Sequence, residues 1–169
     1  MQRRALLLTL AATSATAVTG LSGCGFALRR EPELMFRSLA LSGFRPDSPL
    51  AAELRRQLSR TPVRLLDDPN RAELVLLALR DVRDKSAIVS TTAGQVREWQ
   101  LRVSLDYSLR TPGGEVILPR TELRMTRDMN YTESEALAKE QEEALLYRAM
   151  QSEAVAQVMR RLAAVRLPS

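Results

Sequence analysis

The segment REWQLRVSLDYSLR, residues 97–110, has the clearest strand pattern in this chain. Its apolar side chains, beginning with Trp99, alternate with polar ones, as in a strand with one face in a core and the other in water. The turn Thr111-Pro112-Gly113-Gly114 follows, and the segment from Ile117 to Tyr131 has a similar apolar and polar division. The sequence therefore predicts a long antiparallel hairpin.

The residues before this hairpin predict a β-α-β unit. Leu34–Leu41 is a short apolar segment typical of a first strand, and Ser48 followed by Pro49 gives an N-cap with proline at the first helical position. Leucines at four-residue spacing give that helix one apolar face: Leu50, Leu54 and Leu58. Leu74–Leu79 is an unbroken apolar run, which suits a central strand covered on both faces. A right-handed crossover would make the first strand and this one a parallel pair.

The residues after the hairpin predict a long helix. Thr132 and Glu135 have the spacing of a capping box, and the helix they begin extends to Val165. One apolar stripe runs along it: Leu137, Ala144, Val155, Val158, Met159 and Leu162. The sum is a single α+β domain, with a mixed sheet of about four strands and two helices packed on one face.

The amino terminus has the layout of a bacterial lipoprotein signal. Arg3 and Arg4 precede an apolar stretch, and Leu21-Ser22-Gly23-Cys24 closes it with the only cysteine of the chain. We expect residues 1–23 to be cleaved and Cys24 to carry a diacylglycerol and a further acyl chain. Residues 24–32 would form the lipidated N-terminus and tether, and residues 33–167 the folded domain. The alternative is an ordinary signal peptide or a membrane span with an incidental cysteine.

The composition argues against an enzyme. Histidine is absent, and lipidation would consume the single thiol, so the usual general base, nucleophile pairs and metal ligands are missing. We expect no metal and no cofactor apart from the covalent lipid on Cys24. The net charge of +5 would permit nucleic-acid binding. An exported, anchored protein would seldom meet nucleic acid, so that partner is set aside.

Several short strings, in order, resemble the LptE family of lipopolysaccharide-assembly lipoproteins. They are Cys24-Gly25-Phe26-Ala27-Leu28-Arg29, Gly94-Gln95, Ala136-Leu137-Ala138-Lys139-Glu140 and Met159-Arg160-Arg161-Leu162. The resemblance covers nearly the whole mature chain. It implies a lipid-anchored subunit on the periplasmic side of the outer membrane. Such a subunit plugs and helps to assemble the LptD β-barrel, and it binds lipopolysaccharide for delivery to the outer leaflet. The alternative function is an accessory or pilot lipoprotein of another envelope complex.

The resemblance also implies candidate lipopolysaccharide contacts. Lys139 matches a family position implicated in that contact, and a helical wheel places it opposite the apolar stripe, facing outward. The alternative is a solvated lysine paired with Glu135 or Glu143. The family's other basic contact falls where this chain has Thr91-Thr92-Ala93. Arg97 is the candidate substitute for it, and the alternative is a solvated charge at the end of a strand.

The hairpin register suggests two further candidates. A three-residue loop puts Thr111 opposite Glu115, which in turn puts Arg102 opposite Arg124. Like charges directly opposite one another destabilise a sheet unless an acid or anion lies between them. A lipid phosphate, an acidic residue of the barrel wall or the nearby Glu122 could supply that charge. The same register pairs Asp106 with Arg120.

Overall fold

The computed structural model describes residues 34–166. The predicted signal segment, the predicted lipidation site Cys24 and the whole predicted tether lie outside the described residues. The described chain forms five strands and two α-helices, joined by turns and two short 3-10 segments. In chain order they are β1 Ser38–Ser42, α1 Pro49–Leu58, β2 Arg64–Leu65, β3 Leu74–Ser90, β4 Val96–Arg110, β5 Val116–Asn130 and α2 Ala136–Ala164.

The sheet has the order β2-β1-β3-β4-β5. β1 is parallel to both β2 and β3, whereas β3, β4 and β5 are successive antiparallel neighbours. The predicted α+β class and the parallel β-α-β pair are confirmed, but the strand count is five rather than about four. The additional strand, β2, has only two residues, and no run of apolar side chains marks it in the sequence.

Helix α1 begins where the sequence places it. The Ser48 hydroxyl accepts a hydrogen bond from the Ala51 amide at 3.1 Å, with Pro49 at the first helical position. Such a cap contributes about 1 kcal/mol, since it satisfies an amide that has no partner within the helix. The three leucines of the predicted face are all at most 2% exposed.

Strand β3 is much longer than the predicted Leu74–Leu79, and it is covered on both faces only at its start. Leu74, Val75 and Leu76 are buried, but Leu79 is 51% exposed. β1 pairs with β3 only as far as Leu77, so beyond that residue this edge of β3 has no strand partner in the described part of the chain. The register with β4 shifts between Ala78 and Arg80, where β1 leaves the sheet.

The loop of the second hairpin is as predicted, but the register beyond it is not. The Thr111 amide donates to the Glu115 carbonyl at 2.9 Å. Two register shifts then follow, and Arg102 lies opposite Thr126, whereas Arg124 lies opposite Ser104. The second shift contains Pro119, which has no amide proton to donate to β4. The predicted Arg102–Arg124 pair is therefore wrong.

Both helices pack on one face of the sheet, which we call the covered face. The buried alternating residues of β4, Leu101 to Leu109, meet α1 and the carboxyl-terminal half of α2 in a single core. The other face, which we call the open face, carries the alternating polar residues of β4 and β5 and, on β3, Arg80 and Asp84. Along α2 the buried residues are Tyr147, Met150, Gln151, Ala154, Val155, Val158, Met159 and Leu162.

The start of α2 differs from the predicted stripe and cap. Leu137 is 72% exposed and Ala144 is also exposed, so the first two residues of the stripe do not reach the core. The Thr132 hydroxyl bonds to the Glu135 carboxylate at 2.8 Å instead of capping a backbone amide. A 3-10 turn at Glu133–Glu135 precedes the helix, which begins at Ala136.

Candidate functional site

The end of the sheet far from β1 carries a pocket of about 390 Å³, which we call the distal pocket. Its walls come from the β3–β4 turn, the end of β5 and the start of α2. They are Lys85, Ala93, Gly94, Gln95, Val96, Trp99, Tyr131, Glu133, Ala136 and Glu140. The fold thus brings together Gly94-Gln95 and the string that opens α2, which lie some forty residues apart in the sequence.

The β3–β4 turn positions one wall of the pocket and repeats the chemistry of the β4–β5 turn. The Thr91 amide donates to the Gln95 carbonyl at 2.8 Å, and the Gly94 amide donates to the Thr91 carbonyl at 3.0 Å. Thr111, Gly114 and Glu115 make the same set of bonds. Gly94 and Gly114 have φ values of 80° and 93°, which L side chains rarely adopt. The strings TTAGQ and TPGGE therefore encode the same turn.

An aromatic pair and a cation form the floor of the pocket. The Trp99 and Tyr131 rings meet edge to face, with centroids 6.4 Å apart. The Lys85 ammonium lies 4.5 Å from the Trp99 ring centroid and 2.6 Å from a Glu143 carboxylate oxygen. The lysine is thus held by a ring face and a carboxylate at once, which fixes its position at the pocket edge.

The Trp99 indole N–H is buried and has no hydrogen-bond partner among the described residues. A buried indole donor usually finds an acceptor, and residues 34–166 supply none here. Gln95 adds an amide to the lining, whereas Glu133 and Glu140 add carboxylates. The pocket therefore offers donors beside an acidic rim, which suits a polar ligand better than a bare anion.

Lys139 does not face outward as predicted. Its side chain is only 18% exposed, and its ammonium lies 2.8 Å from a Glu142 oxygen rather than from Glu135 or Glu143. The first turns of α2 face the polar half of β3, where Lys85 reaches Glu143. Polar side chains therefore occupy the side of the helix that faces the sheet there. The inward face predicted from Leu137 is not the face that contacts the sheet.

The underside of α2 is tied to β3 by Tyr147. Its hydroxyl donates to the Asp84 carbonyl at 2.7 Å, and the Arg83 guanidinium lies 3.6 Å from the ring centroid. Burial raises the pKa of the Tyr147 hydroxyl, although Arg83 acts in the opposite direction. The hydroxyl thus stays protonated and acts as a donor at neutral pH, which holds the first half of α2 over the sheet.

Arg97 lies at the start of β4, two residues before Trp99. Its side chain is exposed, and its carbonyl accepts a hydrogen bond from the Tyr131 amide at 2.8 Å. No carboxylate lies within 4 Å of its guanidinium in the described part of the chain. Arg97 therefore stays a candidate contact at the distal end.

Arg102 and Arg124 lie on the open face, away from the distal pocket. Arg102 contacts Asp84 at 3.1 Å and Gln100 at 2.8 Å, and Arg124 contacts Glu122 at 2.8 Å. Neutralisation of Arg124 by Glu122 was one of the predicted alternatives, and the structure shows it. The predicted contact of Asp106 with Arg120 is also present, at 2.7 Å, although Glu122 is the residue directly opposite Asp106.

Sequence reasoning missed Lys85 as a site residue. The predicted strand ended at Leu79, and the real strand continues through a charged stretch to Ser90. The likeness of TTAGQ to TPGGE was the available signal, since it marks a second hairpin turn and thus extends β3 up to it.

The described fold and site define a class: an α+β domain whose helices pack on one face of a mixed sheet, with a polar pocket at the distal end. Residues 36–162 match the LptE family, described as Lipopolysaccharide-assembly. A Yersinia enterocolitica relative named LPS-assembly lipoprotein LptE is 32% identical over 98% of this chain and 78% of its own length. A second, from Photorhabdus laumondii, is 29% identical over 94% of this chain and 86% of its own length. This chain belongs to the LptE family.

Solved structures agree with this assignment. Lipoprotein B from Nitrosomonas europaea is 27% identical, with a TM-score of 0.68 over 83% of this chain and 91% of its own. The rare lipoprotein B from Shewanella oneidensis is 25% identical, with a TM-score of 0.61 over 76% of this chain and 95% of its own.

Neither helix of the described residues could cross a bilayer, because neither combines sufficient length with sufficient apolar character.

Proposed function

We propose that this protein is the lipid-anchored subunit of an outer-membrane lipopolysaccharide translocon. In this role it plugs and helps to assemble an LptD-like β-barrel from the periplasmic side, and it contacts lipopolysaccharide at its distal end. The observation that supports this most is the family match, which spans almost the whole described domain. The competing function is an accessory role in another envelope complex. The motifs that this chain shares with the LptE family do not favour it.

The open face supports the plug role. Ion pairs cover it: Asp84 with Arg102, Asp106 with Arg120, and Glu122 with both Arg120 and Arg124. A barrel lumen is polar, so a polar face suits a plug, whereas an independent adaptor would need an apolar docking patch.

The barrel partnership is tested by affinity purification of the tagged, lipidated protein from its own outer membranes in mild detergent. We expect a large β-barrel in near-stoichiometric amount. Recovery of the protein alone, or with a different envelope complex, would overturn the translocon role. Arg102→Ala/Arg124→Ala is measured in the same assay and in lipopolysaccharide binding. If neither changes, these two arginines take no part in binding.

The lipopolysaccharide contact is tested by a pair of substitutions with opposite expected signs. Lys139→Gln should weaken binding of purified lipopolysaccharide severalfold, because it removes the cation. Glu142→Gln should strengthen binding by up to about fivefold, since the partly exposed ion pair with Lys139 contributes up to about 1 kcal/mol and its carboxylate competes with lipid phosphate. Binding is measured by titration of a fluorescent lipopolysaccharide.

Arg97→Gln is the second basic variant in this titration, and Arg148→Gln is its control, since Arg148 is an exposed arginine farther along α2. A loss in Arg97→Gln that Arg148→Gln does not share would place Arg97 in the contact. If Lys139→Gln and Glu142→Gln change binding in the same direction, Lys139 is a structural lysine and its role in lipid contact is wrong.

A further inference from the structure

One end of the sheet gathers the beginnings of three strands, and the chain enters the domain there. Ser38 of β1 pairs with Arg64 of β2, and Leu39 pairs with Leu74 at the start of β3. Arg110, the last residue of β4, lies beside Val75 and Val116. Because the described chain begins at residue 34, just before β1, we call this the anchor end. We define it as residues 34–38, 55–73, 110–116 and 157–166.

Both helices also finish at the anchor end. Helix α1 returns from the end of β1 to the start of β2, so its last turn carries Arg55 and Arg56 to this end. The last turn of α2 passes close to Tyr107 near the end of β4. Burial raises the pKa of the Tyr107 hydroxyl, and the positive charge of Arg161 opposes that rise. The carboxyl-terminal turn of α2 therefore brings its arginines to the same end.

The anchor end is strongly basic. It contains ten arginines and four acidic residues, a surplus of +6. The remaining described residues contain eleven basic and fourteen acidic side chains, a balance of −3. A general bias of the chain towards arginine would spread the charge evenly, so this segregation calls for a separate explanation. The ten are Arg37, Arg55, Arg56, Arg60, Arg64, Arg71, Arg110, Arg160, Arg161 and Arg166.

These arginines are exposed and mostly without acidic partners. All except the half-buried Arg110 are exposed. Within residues 34–166, Arg56 alone of the ten forms an ion pair, with Glu53, and the other seven ion pairs lie elsewhere. Arg102, Arg120 and Arg124 of the open face are thus neutralised by the protein, whereas nine of the ten arginines of the anchor end form no ion pair among the described residues.

Two exposed apolar side chains lie among these arginines. Met35 is 58% exposed at the entry of the chain, and Val116 is 61% exposed beside the β4–β5 turn. Arginine and exposed apolar side chains on one surface are the combination found where proteins lie on an anionic lipid interface. A guanidinium also binds phosphate oxygens in bidentate fashion.

The tether limits how far this end can lie from a membrane. Leu34 lies ten positions after Cys24, and this length of chain spans at most about 35 Å when fully extended. This step rests on the lipidation of Cys24 that is part of the proposed function. A lipid-anchored chain therefore presents the anchor end, rather than the distal pocket, to the leaflet that holds its acyl chains.

We infer that the anchor end is a docking surface for anionic phospholipid headgroups. Its arginines bind lipid phosphates, while Met35 and Val116 enter the interface between them. The contact holds the anchor end at the leaflet. It also adds a second, salt-sensitive attachment to that of the acyl chains.

The test uses the whole mature chain with Cys24→Ala, so that acyl chains do not contribute. Binding is measured by co-sedimentation with vesicles of phosphatidylcholine, with or without about one-third phosphatidylglycerol. We expect binding only to the anionic vesicles, and its loss at high salt. Arg37→Gln/Arg64→Gln/Arg71→Gln should lower the partition coefficient about 100-fold, at about fivefold per arginine. The matched control, Arg45→Gln/Arg80→Gln/Arg148→Gln, removes three exposed arginines outside the anchor end and should keep most of the binding.

Two outcomes would overturn the inference: no preference for anionic vesicles, or an equal loss in both triple variants. The second would mean that net charge, and not this surface, drives binding. A third outcome is unchanged vesicle binding with loss of barrel recovery in the anchor-end variant, which would assign the arginines to the protein partner instead. Failure of the translocon role appears separately, as absence of the barrel from the wild-type purification.

Discussion

Gly43→Ala is expected to lower the free energy of unfolding by about 3 kcal/mol or more, whereas Gly94→Ala lowers it by about 1–2 kcal/mol. Both glycines have positive φ, 75° and 80°, so an L side chain costs roughly 1–2 kcal/mol in either place. At Gly94 an added methyl group meets nothing within 4 Å. At Gly43 it would overlap the Ala78 carbonyl oxygen and lie 3.1 Å from Leu77 Cδ1. The obstacle is backbone of the central strand, which cannot move aside cheaply.

Chemical denaturation of the two variants beside the wild type measures this difference. The cost of a side chain at positive φ is common to both variants. The difference between their losses of unfolding free energy therefore measures how closely the β1–α1 connection approaches β3. Equal losses in the two variants would show that this approach is loose, and that Gly43 serves only the turn.

Arg120→Met is expected to cost about 2 kcal/mol of stability, and Asp106→Asn less than about 1 kcal/mol. The two residues form one ion pair, but the Asp106 side chain is 1% exposed and that of Arg120 is 60% exposed. Removing the arginine leaves a buried carboxylate whose other oxygen already lacks a partner among the described residues. Removing the charge of Asp106 leaves an arginine that water can solvate.

Urea unfolding at neutral pH measures this asymmetry, and Arg124→Met is the control. Arg124 is likewise an exposed arginine on the open face, but its partner Glu122 is 46% exposed, so its loss should cost little. If Asp106→Asn lowers the free energy of unfolding as much as Arg120→Met does, the ion pair itself stabilises the fold, and the burial of an unpaired carboxylate is not the cause of the loss.

Strand β4 was predictable because its period-two pattern is long and unbroken, and it begins within one residue of the expected position. The β-α-β unit was predictable from its cap, its leucine spacing and its apolar strand. The long second half of β3 was not predictable from apolar alternation. Its charged residues on the covered face contact polar residues of α2, such as Glu143. A polar interface of this kind produces no apolar periodicity in the sequence.

The site was less predictable than the fold, for two physical reasons. The Arg102–Arg124 register failed because Pro119 disrupts the ladder by a geometric effect that the alternation pattern does not show. The orientation of Lys139 failed because a helix wheel assumes that apolar residues face inward along the whole helix. In α2 this holds only from Tyr147 onward.

The edge of β3 beyond Leu77 has no strand partner among residues 34–166, and this has a consequence for how copies of the chain meet. An unpaired strand edge invites identical strands from neighbouring molecules to join it, which begins aggregation. Here the first stretch beyond β1 contains Arg80, Asp81, Arg83, Asp84 and Lys85 around a single valine. Charges of both signs along this edge make in-register stacking of copies unfavourable, because like charges would meet at each position in the stack. Three of these residues, Arg83, Asp84 and Lys85, also contact α2, so one stretch of β3 both holds the helix and disfavours self-association.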